Sequence, residues 1–390
     1  MTYRETLKYL DSFIDYEKAA VERYGKDFRI QRTERLLSSL GDPQKGIRTI
    51  HIAGTKGKGS TAAFIASILK ESGLNAGLYT SPHLVSFRER ITINGRMIDE
   101  EALARIITRA KPHFEEFRDE GLSFFEIYTA VAFLYFKERG VDVSVIETGL
   151  GGRLDATNTA QSAVSVITPI SLEHTRILGS TLYQIAREKA GIIKRGSVCV
   201  SGPQEAEALD AVKEACVQAD CRFYLVGRDI IADSTGFERE REYFNVRTPL
   251  REYRDLETGL MGVHQVVNAA TAIGAVEAFG ESGAHSSHDA VRRGIANTEW
   301  PGRMEIVGRD PFIVLDGAQN EASAKVLIGG MKRCFGERAF TLILGISSDK
   351  EIGSVCKVLS AQAHRVLLTR AKTPRAADPQ MLRKYISDRP

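Results

Sequence analysis

The amino-acid sequence predicts an α/β protein whose main sheet is mostly parallel. Short apolar runs alternate with stretches of helical periodicity along most of the 390 residues. The alternation breaks near residues 297–302 and then restarts. Hydrophobic residues make up 43% of the chain and charged residues 26%, which excludes a disordered or fibrous chain and allows a core of normal size.

The predicted elements follow in order along the first part of the chain. Apolar runs predict strands over 47–53, 76–80, 141–147, 163–168 and 198–201. Helical periodicity predicts helices over 60–71, 125–138, 205–219 and 264–279. Residues 228–258 are polar, aromatic and turn-rich, which indicates short antiparallel strands or an excursion from the sheet. This order places helices on the faces of a mostly parallel sheet.

The break at residues 297–302 predicts a domain boundary, because it contains an Asn-Thr-Glu-Trp-Pro-Gly stretch. We therefore expect a first domain over 1–298 and a second over 299–390. Strands over 312–316, 341–345 and 365–369 are predicted in the second domain, with one helix starting at Glu321 and another over 379–386. A second domain of about 90 residues is short for a doubly wound sheet.

Charge and composition exclude several classes of function. Lys and Arg exceed Asp and Glu by 53 to 50, a net charge of +3, which is too small for a nucleic-acid footprint. The longest apolar run, residues 130–136, is far shorter than the roughly 18 residues that a membrane helix needs. The five cysteines match no metal-ligand spacing, and the first residues contain no apolar signal segment. We expect a cytoplasmic monomer that binds neither nucleic acid nor membranes.

The most informative motif is a glycine-rich loop between the first predicted strand and helix. Gly54, Gly57 and Gly59 let the backbone curl so that N–H groups face phosphate oxygens, and the helix after them adds its N-terminal partial charge. Lys58 would contact the outer phosphates, and Ser60 or Thr61 would lie near Mg²⁺. The usual G-x-x-x-x-G-K-[ST] pattern is not matched, because Gly59 separates Lys58 from Ser60. The alternative that this segment is a strand–helix turn that binds no ligand therefore stays open at this point.

Eight further segments, taken with this loop, resemble the folylpolyglutamate synthase and dihydrofolate synthase family of the Mur ligase superfamily. The loop variant Gly-Thr-x-Gly-Lys-Gly-Ser is the first match, and Glu-x-Gly-Leu-Gly-Gly-Arg-Leu-Asp-Ala-Thr-Asn at 147–158 is the most specific. The others follow in the family's order, at residues 81–95, 123–126, 174–179, 185–194, 262–269, 300–303 and 315–318. The resemblance as a whole covers the chain from about residue 30 to residue 380.

The resemblance implies a fold and a reaction. It implies a Mur-ligase-like P-loop ATPase domain with a folate site, followed by a smaller Rossmann-like α/β domain. The reaction would be ATP-dependent ligation of L-glutamate to folate, to dihydropteroate or to both, through an acyl phosphate and with release of ADP. ATP and Mg²⁺ would be required, because the developing charge on the phosphates must be neutralised.

The resemblance also assigns site residues. The ATP-binding set would be Gly54, Thr55, Gly57, Lys58, Gly59, Ser60, Thr61, Asn268, Arg303 and Asp316. The Mg²⁺ ligands would be Ser60, Ser81, Glu147 and His174. The folate or pteroate pocket would be lined by Ser123, Phe124, Phe125, Glu126, Leu154, Asp155 and Ala156. Catalysis would depend on Lys58, His174 and Lys189, with Lys189 modified to a carbamate.

Two further hypotheses stay open beside the glutamate ligase. One is a related Mur-type amide ligase with another acceptor and amino acid. The other is a nucleotide-binding homologue that has lost ligation. It is motivated by the short second domain and by Gln319, which stands where the family usually has histidine in Asp-Gly-Ala-His-Asn. A glutamine can donate and accept hydrogen bonds but cannot carry a proton charge.

Overall fold

The computed structural model describes residues 1–17, 28–281, 283–373 and 375–386. Contacts between Cα atoms divide the chain into two compact units. The first contains Met1–Asp233, Phe244–Glu257 and Val267–Thr298, and the second contains Ser234–Tyr243, Thr258–Val266 and Glu299–Pro390. The units interleave along the chain, because two short segments before residue 299 belong to the second unit. The predicted domains, 1–298 and 299–390, stay a prediction.

The described residues form strands and helices in alternation. The strands are β1 Arg48–Ala53, β2 Ala76–Tyr79, β3 Ile91–Ile93, β4 Arg96–Met97, β5 Val143–Glu147, β6 Ser162–Ile167, β7 Val198–Ser201, β8 Arg222–Leu225, β9 Ile231–Glu238, β10 Arg241–Arg247, β11 Glu252–Thr258, β12 Glu305–Arg309, β13 Phe312–Leu315, β14 Thr341–Leu344 and β15 Arg365–Leu368. The helices are α1 Tyr3–Leu10, α2 Ile30–Ser39, α3 Lys58–Glu71, α4 Glu100–Glu116, α5 Phe124–Glu138, α6 Thr175–Leu178, α7 Leu182–Ala190, α8 Ala206–Gln218, α9 Val263–Gly280, α10 His288–Ala296, α11 Glu321–Phe335, α12 Ile352–Ser360 and α13 Pro379–Arg383.

The largest sheet of the described residues has the strand order β4-β3-β2-β5-β1-β6-β7-β8. The six strands from β2 to β8 in this order are parallel to their neighbours, and β3 and β4 are antiparallel. Five of the six residues of β1 are buried, and all five of β5, which suits central strands covered on both faces. The prediction of an α/β fold with a mostly parallel sheet is confirmed.

Helix α5 is almost completely buried. Its sequence is apolar nearly all round, and every residue from Ile127 to Phe136 is buried. The Ser123 hydroxyl accepts a hydrogen bond from Glu126 N, and the Glu126 carboxylate accepts one from Ser123 N. This capping box sets where the helix begins. The helix therefore forms the centre of the core on its side of the sheet.

The second unit contains its own small α/β arrangement. Strands β12 and β13 pair antiparallel, and β14 and β15 pair parallel. Helices α11 and α12 and strand β14 contribute Ala324, Val355, Cys356 and Leu344 to one apolar cluster. Residues 228–258, for which short antiparallel strands or an excursion were expected, form the strands β9, β10 and β11, a three-stranded sheet in the order β11-β10-β9 that is not confined to the second unit.

Several predicted boundaries differ from the structure. Helix α3 begins at Lys58 rather than Ser60, because Gly57 in the left-handed region is the residue that precedes its first turn. Strand β5 begins at Val143 rather than residue 141, and α13 ends at Arg383 rather than residue 386. Strands β12, β3 and β4 were not predicted, since short antiparallel strands carry little periodicity. Within the described residues, no helix is both long and apolar enough to cross a membrane.

Candidate active site

The candidate site lies at the carboxyl ends of four adjacent parallel strands. Strands β2, β5, β1 and β6 are neighbours in that order, so their carboxyl ends meet at one edge of the sheet. β1 leads into the glycine-rich loop, and β5 ends at Glu147. Ser81 follows β2 by two residues, and Thr168 follows β6 directly. The topology therefore brings together residues that are more than 100 positions apart in the chain.

Glycine is required at two positions of the loop, because other side chains approach the backbone closely there. A Cβ atom at Gly54 would lie 1.9 Å from Thr168 Oγ1, and φ there is +148°. A Cβ at Gly57 would lie 2.4 Å from Asn268 Oδ1, and φ there is +85°. An L side chain would be strained by the backbone angle and would also clash. The two glycines thus let the loop backbone approach Thr168 and Asn268 closely, and the absence of side chains here is also what a phosphate cradle requires.

The loop is anchored to the segment that follows β6. The N–H groups of Thr55 and Lys56 both donate to Pro169 O, at 3.1 Å. Thr55 also exchanges hydrogen bonds with the backbone of Ser171, at 3.2 and 3.3 Å. These two N–H groups are therefore paired within the protein, and ATP binding by Thr55 stays a prediction. The N–H groups at the start of α3 are the ones that the helix leaves unpaired.

Lys58, Glu147 and Ser81 are joined by direct contacts. Lys58 Nζ lies 3.8 Å from Glu147 Oε1, and Ser81 N donates to Glu147 Oε2 at 3.2 Å. Glu147 is 4% exposed, so its carboxylate faces the site rather than bulk water. The sequence predicted Lys58 for phosphate binding and Ser81 and Glu147 for metal binding. The structure brings these three residues together.

Lys189 points at the glycine-rich loop from the last turn of α7. Its Nζ donates to Gly54 O at 2.8 Å, and the residue is 5% exposed. Burial and, to a smaller extent, the positive charges of Lys58 and Lys56 together lower the pKa of Lys189 to about 7, against the opposing charge of Glu173. Near neutral pH this amine is therefore neutral in a large fraction of molecules. A buried, partly neutral amine beside a phosphate loop is a candidate reactive group.

Oxygen atoms are available for a hard cation at the start of α3. Ser60 is 3% exposed, and Thr61 is fully buried with an Oγ1 that has no hydrogen-bond partner among the described residues. Mg²⁺ prefers such hydroxyl and carboxylate oxygens, so these hydroxyls and the Glu147 carboxylate fit a magnesium ion and bound phosphates. In the described part of the chain, no cluster of three His, Cys, Asp or Glu side chains could hold a metal by itself.

His174 occupies an exposed position after β6. It precedes α6 with φ at +53°, and its carbonyl accepts the first hydrogen bonds of that short helix. Its neighbour Glu173 pairs with Lys56 of the glycine-rich loop at 3.3 Å. The catalytic and metal-binding roles that the resemblance implies for His174 stay predictions.

Most of the predicted folate segment at the start of α5 is engaged in structural contacts. Glu126 forms a buried two-point ion pair with Arg32, at 2.6 and 2.8 Å. It also accepts from Thr33 and from Ser123. Phe124 is 2% exposed and packs against other aromatic rings. These contacts within the protein account for the side chains of Ser123, Phe124 and Glu126 without a ligand. The assignment of these residues to the acceptor pocket therefore stays a prediction.

Phe125 differs from its neighbours, because it is half-buried and faces the loop after β5. A Cβ at Gly149 would lie 2.6 Å from its ring, so this glycine is needed for the close packing of the loop. Leu154 in the same region is half-buried, whereas Asp155 and Ala156 are buried. The structure therefore places Phe125 beside the segment that carries the predicted Leu154, Asp155 and Ala156.

In the second unit, the predicted ATP residues Arg303 and Asp316 flank the antiparallel strands β12 and β13, whose pairing brings the two segments together. Asp316 accepts hydrogen bonds from the N–H groups of Met304 and Ala318, at 3.0 and 2.8 Å. Arg303 donates to Gly302 O at 2.9 Å. Asn268, by contrast, belongs to the first unit, where its side chain lies against Gly57. ATP binding by these three stays a prediction.

Three structural residues were missed from the sequence. Arg32 is 4% exposed and neutralises Glu126, yet nothing in its local pattern distinguishes it from a surface arginine. Pro169 and Ser171 hold the glycine-rich loop through backbone atoms, which no side-chain motif reports. Ser171 Oγ is also buried without a partner among the described residues, close to the loop that it anchors. The adjacency of β1 and β6 could have revealed Pro169 and Ser171, whereas Arg32 depends on the packing of α2 against α5.

Comparison with known proteins identifies the family. The family model of the Mur ligase middle domain matches residues 52–276, and that of the Mur ligase glutamate ligase domain matches residues 302–390. A dihydrofolate synthase/folylpolyglutamate synthase of Bacillus subtilis is 38% identical over 360 residues, which cover 91% of this chain and 84% of the relative. The chain belongs to the folylpolyglutamate synthase and dihydrofolate synthase family.

Further similarities agree with this membership. A folylpolyglutamate synthase of Lacticaseibacillus casei is 35% identical over 382 residues, which cover 96% of this chain and 87% of the relative. A solved structure described as an FPGS–AMPPCP–folate complex matches with a TM-score of 0.89 and 35% identity, over 96% of this chain and 90% of that one. The predicted family and its Mur-ligase-like fold, with a middle and a C-terminal domain, are confirmed.

Proposed function

We propose that this chain is an ATP-dependent, ADP-forming ligase that adds L-glutamate to folate, to dihydropteroate or to both. The observation that carries the proposal is the grouping of Lys58, Glu147 and Lys189 around a glycine-rich loop at the sheet edge. This grouping supplies positive charge, a buried carboxylate and the N-terminus of α3 at one place. Membership of the synthase family supports glutamate as the added amino acid.

The reaction has two steps. In the first, a carboxylate oxygen of the acceptor attacks the γ-phosphorus of ATP, so that an acyl phosphate forms and ADP leaves. In the second, the amine of glutamate attacks the acyl carbon, inorganic phosphate leaves and the amine loses a proton. Negative charge develops on phosphate oxygens in the first step, and Lys58 beside the helix N-terminus is placed to stabilise it.

Magnesium fits the oxygen atoms found at this edge. Ser60, Thr61, Ser81 and Glu147 would hold the ion, and His174 would join them if the resemblance carries over to it. When bound, Mg²⁺ would neutralise charge on the phosphates. Glu147 also has a role that needs no metal. Its Oε1 lies 3.8 Å from Lys58 Nζ, so the carboxylate orients the ammonium group of Lys58.

We also propose that Lys189 carries a carbamate in the active enzyme. Its amine is buried and is near half-neutral at pH 7, and only the neutral amine reacts with CO₂. The reaction forms an N–C bond and releases one proton, which leaves an anion on the side chain. This anion would attract Lys58 and Lys56, whose charges repel the unmodified ammonium group.

The function is tested by measuring phosphate release from ATP with dihydropteroate and with tetrahydrofolate, each with and without L-glutamate. We expect turnover that depends on glutamate and on at least one acceptor. Lys58→Ala is expected to reduce the rate by about a hundredfold or more, because it removes charge stabilisation in the transition state. The matched control is Lys70→Ala, an exposed lysine at the other end of the same helix, which should be unaffected.

The alternatives predict different results in this assay. A ligase for another acceptor would show amino-acid-dependent turnover only with a carboxylate outside the folates. A nucleotide-binding homologue would bind ATP and release no phosphate in response to glutamate. Gln319 motivates this last alternative, since it is exposed at the turn before α11 and its N–H group donates to Ser323 Oγ. Near-normal turnover in Lys58→Ala would remove the glycine-rich loop from the mechanism.

We further propose that the enzyme is a cytoplasmic monomer. The cysteines are free thiols in the structure, which agrees with a reducing compartment. Sedimentation of the purified chain tests the monomer, and a stable dimer at micromolar concentration would contradict it.

A further inference from the structure

A buried histidine lies in the strand that leads into the glycine-rich loop. His51 is fully buried in the middle of β1, between Ile146 of β5 and Ser165 of β6. Burial lowers the pKa of His51 to about 3, so the imidazole is neutral under all physiological conditions. A polar ring in the centre of an apolar sheet loses its hydration, so a specific hydrogen bond is needed to offset that cost.

His51 is linked to the Asp155 carboxylate through the hydroxyl group of Thr157. Its Nε2 lies 2.8 Å from Thr157 Oγ1, and that hydroxyl lies 2.5 Å from Asp155 Oδ1. Burial raises the pKa of Asp155, but hydrogen bonds from the Thr157 hydroxyl and from the backbone N–H groups of Leu150, Thr157 and Gly149 oppose this effect and stabilise the ionised form. The ionised carboxylate only accepts hydrogen bonds, so the single proton of the Thr157 hydroxyl is donated to Asp155. The Thr157 oxygen must then accept from His51, which places the imidazole proton on Nε2. His51 Nδ1 has no hydrogen-bond partner among the described residues, as expected for the nitrogen without a proton.

Asp155 in turn holds the loop after β5. Its Oδ2 accepts from Leu150 N at 2.9 Å, and its Oδ1 accepts from Thr157 N at 3.0 Å. The loop packs against Phe125 at Gly149, and at Gly152 it packs against the carbonyl groups of the last turn of α7. The Asp155 carboxylate therefore organises the segment that the family resemblance assigns to the acceptor pocket.

We propose that His51 is a positioning residue for acceptor binding, which acts by donating Nε2–H to Thr157 and so orienting the Asp155 carboxylate and the loop at residues 149–152. This role rests on the proposed function, since it concerns the pocket for the folate or pteroate acceptor. It assigns a task to a histidine that belongs neither to the phosphate cradle nor to the metal ligands. It also explains why an apolar residue does not occupy this central position of β1.

The first test is the tautomer of His51, which does not depend on activity. Nitrogen NMR of the full chain, labelled with ¹⁵N-histidine and assigned by comparison with His51→Gln, reports which ring nitrogen carries the proton. We expect a protonated Nε2 and an unprotonated Nδ1 throughout the range from pH 6 to pH 8. A proton on Nδ1, or titration of the ring within this range, would overturn the proposal.

The second test separates positioning from packing by steady-state kinetics. Thr157→Val keeps the shape of the side chain and removes the hydroxyl, so the KM for the acceptor should rise about tenfold or more, the factor for one lost hydrogen bond to a charged group. The KM for ATP should stay within about twofold, because the glycine-rich loop is unchanged. His51→Phe should behave similarly, and His51→Gln and Thr157→Ser should restore most of the acceptor affinity, since they retain the donor or the hydroxyl.

Ser165→Ala provides the matched control. Ser165 is a buried polar residue next to His51 in the neighbouring strand, but its hydroxyl donates to Ile192 O and not to this chain of hydrogen bonds. Its acceptor KM should be unchanged. Equal increases in both KM values for Thr157→Val, or full acceptor affinity in that variant, would contradict the proposal. A wild-type protein without folate-dependent turnover would refute the proposed function, while the tautomer measurement would still decide the hydrogen-bond chain.

Discussion

The carbamate at Lys189 can be tested by adding and removing CO₂. An ordinary lysine, with a pKa near 10.4, is neutral in roughly one molecule in 2,500 at pH 7. Lys189, with a pKa of about 7, is neutral in about half of the molecules at the same pH. Burial thus raises the concentration of the reactive form by roughly a thousandfold. We expect carbamylation to be selective for Lys189 over the exposed lysines of the chain.

The expected pH dependence follows from the same shift. The neutral amine increases as pH rises toward the pKa of about 7 and changes little above it. The rate of carbamylation at constant dissolved CO₂ should therefore fall steeply below pH 7 and level off above pH 8. The rate at which CO₂-depleted enzyme regains ligase activity, when the same concentration of dissolved CO₂ is restored, should follow this curve.

The assay is carbon NMR of the full chain in ¹³C-bicarbonate, with and without ATP. One slowly exchanging carbamate signal is expected, absent in Lys189→Arg and present in Lys194→Arg. Lys194 is a suitable control because burial also lowers its pKa, whereas its amine is occupied by two hydrogen bonds to Asn158. Short carboxylic acids should partly restore activity to Lys189→Ala, because they return an anion to the cavity. A missing signal, together with full activity of Lys189→Arg, would refute the reasoning.

Four further outcomes are expected. Gly57→Ala should raise the KM for ATP about tenfold or more in kinetic assays, because φ is +85° and the new Cβ would meet Asn268. Glu126→Gln should lower the free energy of unfolding in urea by about 3 kcal/mol or more, since it leaves Arg32 buried without its counter-charge. Lys189→Met in CO₂-depleted buffer should raise the free energy of unfolding at pH 7 by up to about 4 kcal/mol. That gain is full below pH 7 and disappears as pH rises to the ordinary lysine pKa, where the unfolded chain also loses the proton; a constant gain would contradict it. Glu147→Gln should raise the Mg²⁺ concentration required for half-maximal rate, and unchanged metal dependence would remove Glu147 from the ligand set.

The sequence predicted the main sheet well because its strands are buried on both faces. Strands β1, β2, β5, β6 and β7 were each found within two residues of their observed ends. The antiparallel strands β3, β4 and β12 and the parallel strand β8 were missed, since they are short and partly exposed and so lack a clear apolar run. The start of α3 was placed two residues late, because the conformation of Gly57 decides it and the pattern of apolar residues does not.

By itself, the sequence determined the α/β class, the family and the grouping of Lys58 with a glycine-rich loop, because these depend on local periodicity and on motifs with fixed spacing. The tertiary structure alone decided which donors and acceptors meet across the sheet. It assigned the N–H groups of Thr55 and Lys56 to Pro169, placed Lys189 Nζ on Gly54 O, and used Glu126 to neutralise a buried Arg32. The physical reason is that burial and hydrogen bonding depend on strand neighbours that are far apart in the chain. A local motif reports the type of residue, whereas its charge state and its partners follow from that long-range packing.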